Sequence, residues 1–328
     1  MTAKTADRAR ALPPVLRRIP PPLIAIILAV LLFLLGGILA PGFANVGQAV
    51  NIVRLAAFLG IIAIGQTLVI ISGNEGIDLS AGALVTLGAI LTFRIADGRN
   101  EMILPALAAV LLMGASIGLI NGLAIAFLRM PPLVMTLGMA GVVSGLIYLI
   151  TRGQLIGDDP PLLGQLLSDQ LIGPIPGVII LWLLIGVGMW LLLERTSYGK
   201  HLFAIGVNRT TARLSGVKVT RTLVVTYMAA GALAAFSGFI LLAFSKTVFL
   251  SLGDPYLFRS IIAVIVGGTL LAGGKGSYWG TMAGALVLQV LSSLLLALGV
   301  EEALQLVIYG AILLVLITFY GRQRSLRQ

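Results

Sequence analysis

Apolar runs long enough to cross a bilayer alternate with short polar loops along almost the whole chain. The first covers residues 23–40, about 27 Å at the helical rise of ~1.5 Å per residue and close to the hydrocarbon thickness of a membrane. Further runs follow at 52–72, 80–96, 102–127, 133–151, 171–193, 219–244, 257–272, 277–298 and 303–320. The pattern predicts an all-α, polytopic membrane protein of about ten spans, the third and eighth of them short. An even number places both ends on one side. The expected organisation is a tail at 1–22, one membrane domain at 23–321 with a polar loop at 194–220, and a tail at 322–328. The first run resembles a secretion signal, but its apolar stretch is longer than that of such signals, and Pro41 directly follows a possible cleavage site at residues 38–40. It reads as an uncleaved span.

Composition agrees. Of 328 residues, 59% are hydrophobic and 10% are charged, where a soluble domain is about a quarter charged. Lipid must solvate much of this chain. The net charge of +10 does not mark a nucleic-acid binder, because the basic residues form no patch beside aromatics. They follow the positive-inside rule instead. Lys4, Arg8, Arg10, Arg17, Arg18, Arg129, Arg195, Lys200, Arg209, Arg213, Lys218, Arg221, Lys275, Arg322, Arg324 and Arg327 all fall on the side predicted to be cytoplasmic. The acids Asp97, Glu101, Asp158, Asp159, Asp169, Asp254, Glu301 and Glu302 fall on the other. A missed span would scramble that separation.

The chain has no cysteine and one histidine, His201. Disulfides, thiolate metal sites and cysteine nucleophiles are excluded. His201 has no acid–nucleophile pair to work with and reads as a docking or interfacial residue.

The run GGTLLAGGKGS, residues 267–277, looks at first like a phosphate-binding loop. That loop needs G-x-x-x-x-G-K-[ST] between a strand and a helix. Here Thr269 stands at the first glycine and Gly276 at the hydroxyl position, and the run joins two apolar segments. It is no nucleotide site. Gly273, Gly274, Lys275 and Gly276 read as a tight turn that lets helices approach closely. A second stretch is like it. GNEGIDLSAGALV begins at Gly73 and GGKGSYWGTMAGALV at Gly273. Each follows an apolar run with G-x-x-G and then opens a span with Gly-Ala-Leu-Val, as an internal repeat would.

Acids beside spans are costly and usually functional. Asp78 and Ser80 precede the third span, and either can cap its exposed N–H groups. Asn74 and Glu75 stand at the cytoplasmic interface. Gln66, Thr67 and Asn121 fall inside spans. Two uses are open to this set: lining a translocation pathway or gate, or structural pairing between neighbouring helices.

The loop TSYGKHLFAIGVNRTTARLSGVKV, 196–219, mixes apolar and basic groups in an organised way. Asn208 is a good N-cap, Arg209–Ser215 makes two helical turns, and Gly216 is a natural C-cap. Ala212 and Leu214 sit among basic residues, as on a surface that docks another protein. Anchoring to anionic lipid headgroups is the other reading.

Three stretches carry a family resemblance: GQTLVIISGNEGIDLSAGALVTLGA (65–89), YGKHLFAIGVNRTTARLSGVKV (198–219) and IIAVIVGGTLLAGGKGSYWGTMAGALV (261–287). In these the chain resembles the membrane permeases of bacterial ABC sugar importers, the ribose and related monosaccharide class. The G-G-T-x-L-x-G-G-x-G form is more like the sugar branch than the branched-chain amino-acid branch of that superfamily. The resemblance implies a non-enzymatic inner-membrane subunit paired with a second permease copy or a related chain. It implies a cytoplasmic ATPase that uses ATP and magnesium, a periplasmic binding protein that delivers the sugar, and no cofactor on this chain. It places an ATPase-coupling helix in the loop of Tyr198, Gly199, Gly206, Asn208, Arg209, Ala212, Arg213, Leu214 and Gly216. The chain departs from the family at GNEGIDLSAG, where a plainer GGIDLSVG is common. Rival readings are an ABC permease for an amino acid, nucleoside or autoinducer, a self-contained secondary transporter, and a membrane enzyme. The last lacks a concentrated polar constellation.

Overall fold

A computed structural model describes residues 20–322. The expected tails, with the basic residues Lys4 to Arg18, Arg324 and Arg327, lie outside the described residues apart from a few positions at their edges. Within that range the fold is almost wholly helical: α1 (Pro21–Leu39), α2 (Val46–Ile71), α3 (Ala81–Ala96), α4 (Ile103–Phe127), α5 (Pro132–Thr151), α6 (Pro161–Leu167), α7 (Gly177–Trp190), α8 (Ser197–Val207), α9 (Arg209–Leu214), α10 (Val219–Ser245), α11 (Asp254–Val266), α12 (Tyr278–Ala297) and α13 (Glu302–Arg322). One small antiparallel hairpin joins β1 (Gln170–Ile172) to β2 (Ile175–Pro176).

Each expected apolar run coincides with a helix, but seven among the described residues are long and apolar enough to cross a membrane unaided. The short ones are α3, with 16 residues, and α11, with 13, or ~24 and ~20 Å of helix. The apolar part of the last helix, Glu302–Leu316, is also short. The eighth run was expected to reach residue 272, but α11 ends at Val266, where Gly267 and Gly268 release the chain into a turn. The sixth was expected from residue 171. There the proline- and glycine-containing segment Gln170–Pro176 forms the hairpin, and the helix begins only at Gly177. Asn45 starts α2 six residues early by accepting from the Gln48 amide.

The core forms around α2, in which every residue from 56 to 71 is buried. Helix α7 holds it through Trp182, whose Nε1 donates to Tyr278 Oη at 3.2 Å. That hydroxyl donates in turn to Gly60 O at 2.9 Å. On the other flank α10 lies against α3 and α4. Gly114, Gly118 and Gly122 make a small-residue stripe on α4, and α10 backbone approaches within van der Waals reach of it at Val224, Tyr227 and Gly231. Without a hydrophobic force between helices in lipid, such contact surfaces supply the attraction. Outer faces carry exposed apolar side chains such as Leu31, Leu112, Leu149 and Leu184, as lipid-facing helices do.

A side chain at Gly118 would run into Tyr227 O, whereas Gly138 on α5 has open space around it. Gly118→Leu is therefore expected to lower the thermal unfolding midpoint in detergent sharply, since overpacking costs about 1–3 kcal/mol or more. Gly138→Leu should leave it nearly unchanged. Equal shifts in the two variants would contradict this packing.

Candidate functional site

Three glycine-bearing segments meet at one end of the bundle. Gly73 (φ +71°) ends the turn after α2, and Gly273 (φ +85°) and Gly274 (φ +72°) lie in the turn before α12. The Gly274 amide donates to Ile71 O at 2.9 Å, tying one turn to the other. Gly206, near the end of α8, fits between them: a methyl group there would collide with Ile71 O and the Gly274 amide. One on Gly273 would collide with Gly73. Only backbone fits at this meeting point. The second turn is closed by Leu270 N donating to Lys275 O at 3.0 Å, and Gly276 leaves room for Thr269.

The sequence pairing of these two turns is thus also a spatial one, with a difference. The first Gly-Ala-Leu-Val (82–85) stands at the start of α3, but the second (284–287) lies well inside α12. The expectation that both open a helix holds only for the first. Ser277 caps α12 from farther upstream by accepting from the Gly280 amide.

Just beyond Gly73 the backbone turns left-handed at Asn74 (φ +56°) and Glu75 (φ +58°), a region that a non-glycine residue enters at a cost. Both are exposed. The chain then dives inward. Gln66 clamps the backbone of Asp78, donating through Nε2 to Asp78 O at 2.5 Å and accepting from Asp78 N at 3.2 Å. Leu79 N donates to Thr136 Oγ1 of α5 at 3.0 Å. Neither Asp78 nor Ser80 caps α3 as expected. Instead Asp78 Oδ1 accepts from the Ser80 amide at 2.9 Å and from its hydroxyl at 2.5 Å. Ser80 Oγ in turn accepts from Asn121 Nδ2 of α4 at 3.2 Å. The capping role fails because Ser80 is itself in helical conformation, so the carboxylate reaches one residue short of the free amides. Burial pushes the Asp78 carboxyl above the usual range, and its bonds to Ser80 partly offset that. Thr67 pairs with Thr281 of α12 at 2.9 Å. Gln66, Thr67, Asp78, Ser80 and Asn121 are all buried, so within one chain this set holds helices and a loop together. Asn74 and Glu75 stand apart from it, at the surface.

The loop 194–220 is more structured than expected. A π-helical turn (Leu191–Arg195) extends α7, and α8 precedes the short helix that the sequence indicates. Thr196 caps α8 by accepting from the Gly199 amide, and Asn208 caps α9 by accepting from Thr211. Gly216 takes φ +83° after α9. Helix α8 was missed because Gly199, Lys200, His201 and Gly206 interrupt its apolar residues, but Leu202 and Ile205 are buried. Gly199 lets it close on Leu193 O. Tyr198 Oη pairs with Thr226 Oγ1 of α10 at 2.9 Å. On α9 Ala212 is buried, while Leu214 is 85% exposed, and Arg213 is exposed beside it. Arg209 is half-buried, which lowers its pKa. His201 is exposed.

Two clefts join these parts. One, of about 430 Å³, is lined by Asn74, Gly206, Asn208, Arg209, Gly273 and Lys275 among others. The other, of about 480 Å³, places Asn74 and Glu75 with Arg129, Arg209 and Arg213. The loops expected on one side thus converge on one end. At the opposite end Gly98 N donates to Asp158 O and Leu162 N to Asn100 Oδ1, at 3.2 and 3.0 Å. Sequence reasoning missed Thr136 and Thr281, since a lone hydroxyl within an apolar run carries no pattern of its own. Among the described residues no cluster of three or more His, Cys, Asp or Glu side chains is placed to hold a metal.

A family profile described as "Branched-chain amino acid transport system / permease component" matches residues 48–317. The ribose import permease protein of Bacillus subtilis (strain 168) is 36% identical over 295 residues, 87% of this chain and 88% of that one. The fructose import permease protein of Rhizobium meliloti is 32% identical over 308 residues, 90% and 82% of the two chains. The autoinducer 2 import system permease protein of Shigella flexneri is 31% identical over 300 residues, 92% and 86%. No solved structure matches. With a membrane bundle, two glycine turns joined through an amphipathic loop, and a profile match across most of its length, the chain belongs to the branched-chain amino acid transport system permease component family.

Proposed function

We propose that this chain is the permease subunit of an ATP-driven importer and forms the pathway for a monosaccharide handed over by a periplasmic binding protein. Two relatives named for ribose and fructose import support the sugar reading. The relative named for autoinducer 2 import is somewhat less similar, and an autoinducer is the alternative cargo. In this reading the protein sits in the bacterial inner membrane with both termini in the cytoplasm, pairs with a second permease, and leaves ATP hydrolysis to a partner.

The observation that carries the proposal is the tip of α9. An 85%-exposed Leu214 flanked by exposed Arg213 sits on a helix whose other face, at Ala212, is packed down. A solvated loop has no use for that arrangement, but a docking surface does. Force on α9 passes along α8 to Gly206, and from there to both glycine turns. Gln66, Thr67, Asp78, Ser80 and Asn121 then act by positioning, carrying a shift of the first turn into α2, α3, α4 and α12. ATP binding in the partner so becomes helix displacement, and bistable packing of the bundle supplies the two access states.

Reversing charge at Arg209 and Arg213, or replacing Leu214 with Asp, is expected to abolish substrate-stimulated ATP hydrolysis in the assembled complex without preventing membrane insertion. Normal stimulation in these variants would rule out α9 as the docking element. Gly206→Ala should leave the partner bound and basal hydrolysis present while uptake falls at least ~10-fold, given the coupling energies of ~1–3 kcal/mol typical of linked sites. Uptake unchanged by Gly206→Ala would mean that force does not pass there. Asp78→Asn, which keeps an acceptor for Ser80, should retain most uptake, whereas Asp78→Ala should lose it. Equal loss in both would show that the carboxylate charge itself is needed, as in a proton-coupled carrier.

A further inference from the structure

Beside the docking surface, and sharing Arg213 with it, a groove of about 590 Å³ opens between the last turns of α4 and the first turns of α10. Its walls are apolar, with Leu123 and Phe127 on one side and Val224 on the other, and Arg213, Lys218 and Arg221 stand at its mouth. Phe127 is 66% exposed and Leu123 41%. No acidic residue lines the groove. The apolar part belongs to helices that are long enough to span the bilayer, and the basic part begins where those helices end. The groove therefore runs from membrane depth to the interface.

We infer that this groove is a binding site for an anionic phospholipid, with an acyl chain along Leu123, Phe127 and Val224 and the headgroup phosphate among the three cations. The charge pattern selects the occupant. A water-soluble partner cannot enter at membrane depth, and a zwitterionic lipid gains less from three positive charges with no acid among them. Basic residues at a membrane surface contribute about 1 kcal/mol each toward anionic lipid. Charge-assisted bonds from arginine to phosphate add geometric fit. Because Arg213 is shared with α9, a bound lipid would also brace the loop from its membrane side.

The test uses the full chain in nanodiscs of phosphatidylcholine mixed with about one part in five phosphatidylglycerol, a proportion ample for charge selection. Native mass spectrometry then counts retained lipid. The expected result is one strongly held phosphatidylglycerol per chain, not displaced by inorganic phosphate. Lys218→Ala with Arg221→Ala should weaken retention at least ~10-fold, the loss expected for two interfacial cations. Val224→Trp keeps every charge but fills the groove, and should also expel the lipid. Equal retention of both lipids, or full retention in both variants, overturns the inference. So does efficient cross-linking of Val224→Cys between two copies, which the cysteine-free sequence makes clean to detect, because the groove would then be a permease–permease interface.

Discussion

The approach of Gly206 to the Ile71 carbonyl and the Gly274 amide sets the geometry of the whole end of the bundle that carries α8 and α9. Three backbone segments occupy a space in which no side chain fits, and one of them is bonded to another across about two hundred residues of chain. Close packing makes such a contact stiff, since interiors transmit strain rather than absorb it. A loop that projects outward is thereby joined to the ends of two buried helices. The remaining bonds around Asp78 extend that connection into α3, α4 and α5.

This arrangement explains why a chain so poor in polar groups keeps a buried carboxylate. Asp78 makes no side-chain cap to α3 and is buried. It fixes the two residues that lead into α3, and Gln66 fixes Asp78 in turn. Burying a charge is expensive unless it is well bonded, and here the bonds come from the loop it shapes. The left-handed backbone at Asn74 and Glu75 lies between the Gly274–Ile71 bond on one side and the Gln66–Asp78 bonds on the other.

Much of this was legible in the sequence because lipid imposes simple rules. Apolar runs locate the helices, and the separation of Arg129, Arg209 and Lys275 from Asp97 and Asp158 foretells which loops share an end. Asn208 and Gly216 announce α9 through cap chemistry alone. Where prediction failed, the cause was tertiary. Helix α8 looked like loop because it is stabilised by burying Leu202 and Ile205 rather than by a strong apolar pattern. The end of α11 moved because two glycines offered a turn that the apolar run concealed. The contact between Gly206 and the two turns had no local signal. Each glycine is unremarkable alone, and only the fold brings them together.

Whether the end that carries α9 is built for a partner can be read most directly by isolating the protein from native membranes in mild detergent and identifying what comes with it. The account predicts a stoichiometric ATPase subunit, released when α9 carries the reversed charges. Recovery of this chain alone, under conditions in which related complexes survive, would contradict it.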